Sequence, residues 1–345
     1  MFDVENVAEI GIRTDLRHIA HRAGSIGQQL HFAYGTGRDS IVFRFISDYE
    51  FNAYAGKAET NYTIELNVAV PLFSIILFYR LLSYPSVLPF LSTDGATPSD
   101  FSLPFVIDPA DFARRADWTV RANAIRAFAA GTIADFCSTF VVCHEFGHIL
   151  SGHVEGMQHY YGADRVAEFV RSEAGTGVVT GRRQAWEYEA DKVGAALAIQ
   201  FVEQLATARD EEPRTKTVFS DGAGHHLEHS LAICVAALLA FFIYVQGMRT
   251  KLDRRSSHPH PYVRATYLKH MLVQAALRRG EFNLAVFDTY LDMRLDEFLA
   301  ALEATGLLDG RTYTRAYIRN VERELERLEV LAERYRDSCA AWRWL

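Results

Sequence analysis

The stretch VVCHEFGHILSGH, Val141 to His153, sets the hardest condition on this chain: a segment apolar enough to be a buried helix carries His144, Glu145 and His148 within five positions. Unpartnered imidazoles and carboxylates are costly away from water, so a fold that buries this helix must supply partners for them. On an α-helix, positions i and i+4 lie about 40° apart around the axis, and His144 and His148 therefore point to one place. Two imidazoles on one face suit a metal ion, and Glu145, one step round, reaches a metal-bound water. A helix with incidental polar residues has the same letters; the apolar setting argues against it.

A catalytic zinc takes three protein ligands and keeps a fourth position open. Downstream, AWEYEADKVGAALA places Glu187 and Asp191 at i and i+4 on a helix whose other face is small and apolar. Glu187 completes the site, Asp191 is placed to bond the distal nitrogen of a ligand histidine and fix its tautomer, and Glu189 is the second choice for third ligand. Alone, such a pair reads as solvated carboxylates. A competing motif, HHLEH, matches the inverted zinc pattern HxxEH through His225, Glu228 and His229. It follows DGAG at an expected helix start and has no ExxxD in matching order, so it reads as capping or solvated. The glycine and third histidine of metzincins would fall on Ser151 and Val154, which excludes that class. His153 and His159 read as structural.

Together HEFGHILSGH, EYEAD and SHPHPYVR resemble the gluzincin metallopeptidases of the CAAX prenyl protease and heat-shock membrane protease type. That pattern is HExxH with a further His five residues on, then ExxxD, then a His-Pro motif followed by Arg. Here it falls on His144, Glu145, His148 and His153, on Glu187 and Asp191, and on Ser257, His258, Pro259 and Arg264. An upstream Asn-Ala-aromatic-Ala motif has its counterpart in Asn52, Ala53, Tyr54 and Ala55. The resemblance covers Phe51 to Leu268. His260 interrupts the usual His-Pro-Pro run, and neither a membrane hairpin between His153 and Glu187 nor several membrane spans are present, so substrate is not carried over. A smaller resemblance, confined to HEFGH, is to phage-exclusion peptidases.

The resemblance implies a zincin-like fold and zinc, one Zn2+ per chain, held by His144, His148 and Glu187. Zinc lowers the pKa of its water, Glu145 takes the proton as water attacks a peptide carbonyl, and Glu145 returns it to the leaving amine. His258 is the candidate oxyanion donor, and Arg264 anchors its loop through a carboxylate. FNAYA, as an edge strand over the cleft, would bind an extended peptide through main-chain hydrogen bonds. The expected function is a zinc-dependent metalloendopeptidase with a protein or peptide substrate. The alternative is a catalytically silent zinc-binding regulatory protein on the same fold, against which Glu145 argues.

Strands are expected at Ile41 to Ile46, which alternates, and Asn61 to Val68, rich in β-branched residues. Tyr84 to Pro109 and the glycine-rich Glu173 to Arg183 read as loops. Helices are expected at Ala122 to Phe136, Thr139 to Ser151, Gln184 to Leu205 and Val263 to Arg279, with an amphipathic one following Tyr313. The fold class is α+β and mostly helical: an N-terminal region over 1–110 with a small sheet, a zincin-like helical core over 111–280, and a helical extension over 281–345. A formal charge of −7 removes the simplest case for a nucleic-acid partner. Four cysteines without CxxC spacing, and a start lacking a signal-peptide pattern, point to the cytoplasm. Ser230 to Met248 carries no charge and approaches the ~20 residues of a membrane span; it reads as a core helix, with peripheral or single-helix membrane contact as the alternative.

Overall fold

The computed structural model describes residues 2–7, 10–34, 40–48, 50–58, 61–92, 94, 123–167, 177–208, 212–245, 259–280, 282–308 and 315–344. Ile12, Leu16, Ile19, Ala23, Gly27 and Leu30 recur at helical spacing and form the buried stripe of α1 (Ile10–Tyr34). A mixed sheet follows: β1 (Ser40–Ile46), β2 (Ala53–Lys57), β3 (Asn61–Asn67) and, after further helices have intervened, β4 (Arg165–Ala167). The order is β1-β3-β2-β4, with β1 parallel to β3 and the other pairs antiparallel. Helix predominates among the other described residues, so the class is α+β and mostly helical.

The described helices between β3 and β4 are α2 (Ala69–Leu81), buried along nearly its whole length, α3 (Ala124–Leu150) and the short α4 (His153–Tyr161). Where two helices are expected between Ala122 and Ser151, one runs through. Ser138 and Thr139 do not break it because their hydroxyls are buried and partnered, by Ser74 at 3.5 Å and Asp135 at 3.2 Å. Next come α5 (Gly177–Thr207), α6 (Pro213–Phe219), α7 (His226–Val245), α8 (Pro261–Leu277), α9 (Leu284–Ala304) and α10 (Arg315–Tyr335), and then a 3-10 turn over Arg336–Trp342. Gly177 to Arg183, expected as loop, is the first two turns of α5. Gly181 there packs near Leu331 and Tyr335 of α10, and that tertiary contact outweighs the glycines' weak helix propensity.

At the centre, α3 lies against α5, α2, α1 and the sheet, while α7 is enclosed by α9, α8 and α5. Two helices, α3 and α7, are long and apolar enough to cross a membrane; 72% and 94% of their most apolar windows are buried inside the fold. The segment Leu82 to Ser92 is drawn round Arg126 in the first turn of α3. Its carbonyls at Leu82, Tyr84, Pro85, Val87, Leu88, Leu91 and Ser92 all accept from that fully buried guanidinium.

FNAYA is not an edge strand. β2 pairs with β3 on one side, and Tyr54, Ala55 and Gly56 pair with Ala167, Val166 and Arg165 of β4 on the other. The wholly buried Ala53 and Ala55 suit an interior strand, and β4 holds the side a peptide would have used.

Candidate metal centre

Two glycines decide how closely α3 and α5 approach. A Cβ on Gly147 would stand 2.4 Å from the Ala190 carbonyl oxygen and 2.8 Å from its Cα; one on Gly194 would stand 3.0 Å from the His144 nitrogen. Only bare backbone fits at this crossing, and the contact sets Glu187 and Asp191 of α5 beside the histidines of α3.

His144 Nε2 and His148 Nε2 are 3.0 Å apart. The Glu187 carboxylate lies 3.3 Å from the first through Oε2 and 3.6 Å from the second through Oε1. Ligands held tetrahedrally at zinc distances are separated by about 3.3 Å, so the three donors already form nearly the triangle an ion would occupy. All three are buried, with exposures of 0%, 0% and 4%, and their donor atoms fall within 4.8 Å of one another. The set fits a divalent ion in composition and in spacing. Glu145, next to His144 on the helix, is likewise buried.

Each imidazole is gripped from behind. Asp191 Oδ1 meets His144 Nδ1 at 2.7 Å, which leaves the lone pair on Nε2 facing the centre. Asp191 accepts in turn from Arg264 Nε at 2.8 Å, Arg264 Nη2 at 2.7 Å, and the Tyr267 hydroxyl. Burial would raise the Asp191 carboxyl, but the Arg264 guanidinium and the hydrogen bond with His144 hold it at about 2. Burial pushes the Tyr267 phenol well above its usual value, with Asp191 adding to it. His148 Nδ1 faces His153 Nδ1 at 3.0 Å. Burial holds both imidazoles below their ordinary range, and so uncharged at neutral pH.

His153 reaches this place through a turn: α3 stops at Leu150, Gly152 takes φ +74°, and α4 begins with His153 folded back on the preceding helix. Its ring stacks on Trp186 at 5.2 Å and 13°, and its Nε2 meets Glu189 Oε2 at 3.1 Å. Glu189 pairs through Oε1 with Arg343 at 2.7 Å.

The other sequence candidates are placed as follows. His258 and Ser257 lie outside the described residues. His260 is the N-cap of α8, accepting from the Tyr262 nitrogen at 3.3 Å. Asn52 donates to the Tyr54 hydroxyl at 3.0 Å and accepts from the Ala53 nitrogen at 2.9 Å, bonds internal to FNAYA. The HHLEH residues serve the start of α7. Glu228 accepts from the Asn283 nitrogen at 2.6 Å, His229 donates to the Val218 carbonyl at 3.3 Å, and Asp221 caps the turn before them. Among the described residues, His144, His148 and Glu187 are the one group that assembles as metal ligands.

Sequence reasoning passed over Gly147, Gly194, Tyr267 and Arg343. Tyr267 had a signal, since it stands at i+3 from Arg264 on one helix; Arg343 had none. Ligand geometry has to carry the functional argument by itself, because no protein-family model matches the chain, no curated protein matches it, and no solved structure matches its fold.

Proposed function

We propose that the chain is a zinc-dependent metallopeptidase of gluzincin type acting on a protein or peptide. The observation that carries this is a buried triangle of His144 Nε2, His148 Nε2 and the Glu187 carboxylate, with Glu145 as the next residue on the ligand helix. Zinc bound there supplies Lewis acidity, which acidifies a water and polarises a carbonyl oxygen. His144 and His148 hold their lone pairs toward the ion because their Nδ1 atoms are engaged elsewhere, and Glu187 adds the one negative charge of the ligand set. Glu145 is the proton carrier: it accepts a proton as water adds to the scissile carbonyl and delivers it to the departing amine nitrogen. Asp191, held by Arg264 and Tyr267, orients His144.

A second reading is favoured by one fact. The three ligands and Glu145 are between 0% and 4% exposed, and a closed, non-turning-over zinc centre in a regulatory protein is also buried.

Glu145→Gln separates the two, since it removes proton transfer and leaves all three ligands. For a peptidase, zinc content stays near one per chain while cleavage, followed by the appearance of new protein N-termini, falls roughly 10²–10⁴-fold. If the wild type generates no new N-termini and both forms bind the same partners, the regulatory reading takes its place. Glu187→Ala should bring zinc content well below one per chain; equal zinc in the two would remove Glu187 from the ligand set.

A further inference from the structure

Each ligand histidine has an arginine-held carboxylate behind it. For His144 the carboxylate is direct: Asp191 touches Nδ1 and Arg264 holds Asp191. For His148 the arrangement is one residue longer, because His153 stands between the ligand and the carboxylate of Glu189, and Arg343 holds Glu189.

Proton accounting makes this chain of contacts directional. His148 can offer Nε2 to a metal only if its proton is on Nδ1. That N–H, 3.0 Å from His153 Nδ1, needs an acceptor, so neutral His153 must carry its own proton on Nε2. The Nε2–H of His153 then meets the carboxylate of Glu189 at 3.1 Å, a group that only accepts when ionised. Each proton position follows from the next, starting at Glu189. Without that carboxylate, His153 is equally content with its proton on Nδ1; His148 would then hold its own on Nε2, where the metal should be.

The last link comes from the far end of the described chain. The Trp344 nitrogen donates to the Leu150 carbonyl at the end of α3 at 2.9 Å, Trp342 packs where a Cβ on Gly152 would stand, and Ser338 accepts from Trp186 Nε1 at 3.1 Å. These contacts set Arg343 against Glu189 and clamp the turn that presents His153.

We infer that His153, Glu189 and Arg343 are positioning residues that lock His148 in its metal-binding tautomer, so that the segment Ser338 to Trp344 sets the affinity of the metal centre. The inference rests on the centre proposed at His144, His148 and Glu187.

Zinc affinity of the metal-free protein, measured by chelator competition, together with the visible spectrum on adding Co2+, tests it without reference to activity. His153→Phe keeps a ring against Trp186 and removes the acceptor; zinc affinity should fall by about 10–100-fold, with an altered cobalt spectrum. His153→Asn places a carbonyl oxygen near the position of Nδ1 and should recover most of that loss, although it lacks the aromatic stack. Glu189→Gln and Arg343→Met should weaken zinc in the same direction, and they carry the test if His153→Phe does not fold. Wild-type affinity in Glu189→Gln and His153→Phe would overturn the relay, as would equal losses in His153→Phe and His153→Asn, which would mean that packing alone matters. A wild type that binds neither Zn2+ nor Co2+ would overturn the metal centre and the relay with it.

Discussion

Arg126 shows what one side chain does when its charge is buried among carbonyls. Seven backbone oxygens between Leu82 and Ser92 converge on its guanidinium, and burial lowers its pKa. Arg126→Met would strand those oxygens, and a loss on the order of 3 kcal/mol is expected, read from the urea midpoint. Metal affinity should be untouched, because the 18 residues from Arg126 to His144 place them about 27 Å apart along α3. His229 predicts a pH effect. Burial and the nearby Arg294 charge lower its imidazole to about 4, so the unfolded chain takes up a proton below about 6.5 that the folded chain refuses until about 4. Stability is therefore present in full above that window and declines as pH falls through it, by at most about 3.5 kcal/mol at ~1.4 kcal/mol per unit. His148 and His153 act in the same sense, so the informative quantity is a difference: His229→Phe, which keeps a ring between Phe90 and Tyr290, should lose less stability between pH 7 and pH 5 than the wild type. Equal losses would show that His229 does not carry this share.

At the scale of elements, the crossing of α3 and α5 is the most demanding feature. Gly147→Ala puts a methyl into the Ala190 backbone, and no change of side chain at position 190 relieves a clash with its carbonyl oxygen and Cα. The helices must separate, with an expected loss of about 1–3 kcal/mol and a fall in bound zinc per chain; a variant with normal zinc content and midpoint would mean the crossing can relax. This feature also shows which parts of the architecture were legible beforehand. His144 with His148 and Glu187 with Asp191 could be read because each pair is a matter of i and i+4 on one helix, and helical periodicity is local. The stripe from Ile12 to Leu30 is equally local. β4 was not legible: three residues become a strand only because Tyr54, Ala55 and Gly56 lie beside them. Nor was the start of α5, where glycines that favour loops are held helical by α10. The role of His153 is not local either, since its meeting with His148 depends on the left-handed turn at Gly152 and on a neighbour from α5.

For the whole molecule, the position of α7 matters most. The helix has the length and apolarity of a membrane span, but 94% of its most apolar window is covered by the rest of the fold. The chain is accordingly expected in the soluble fraction without detergent; association that resists carbonate extraction would require α7 to leave the core. Joined to this core, the candidate metal site and its supports draw on parts of the chain that are far apart in sequence, from α3, α5 and α8 to the turn after α10. A ribosome makes them in that order. The three donors are complete once Glu187 has emerged, but Asp191 waits 73 residues for the guanidinium that will hold it, and Glu189 waits longer still for Arg343. An ion captured by the growing chain would therefore arrive at loosely held ligands, and tight selection among metals would begin only once synthesis of the supports was complete.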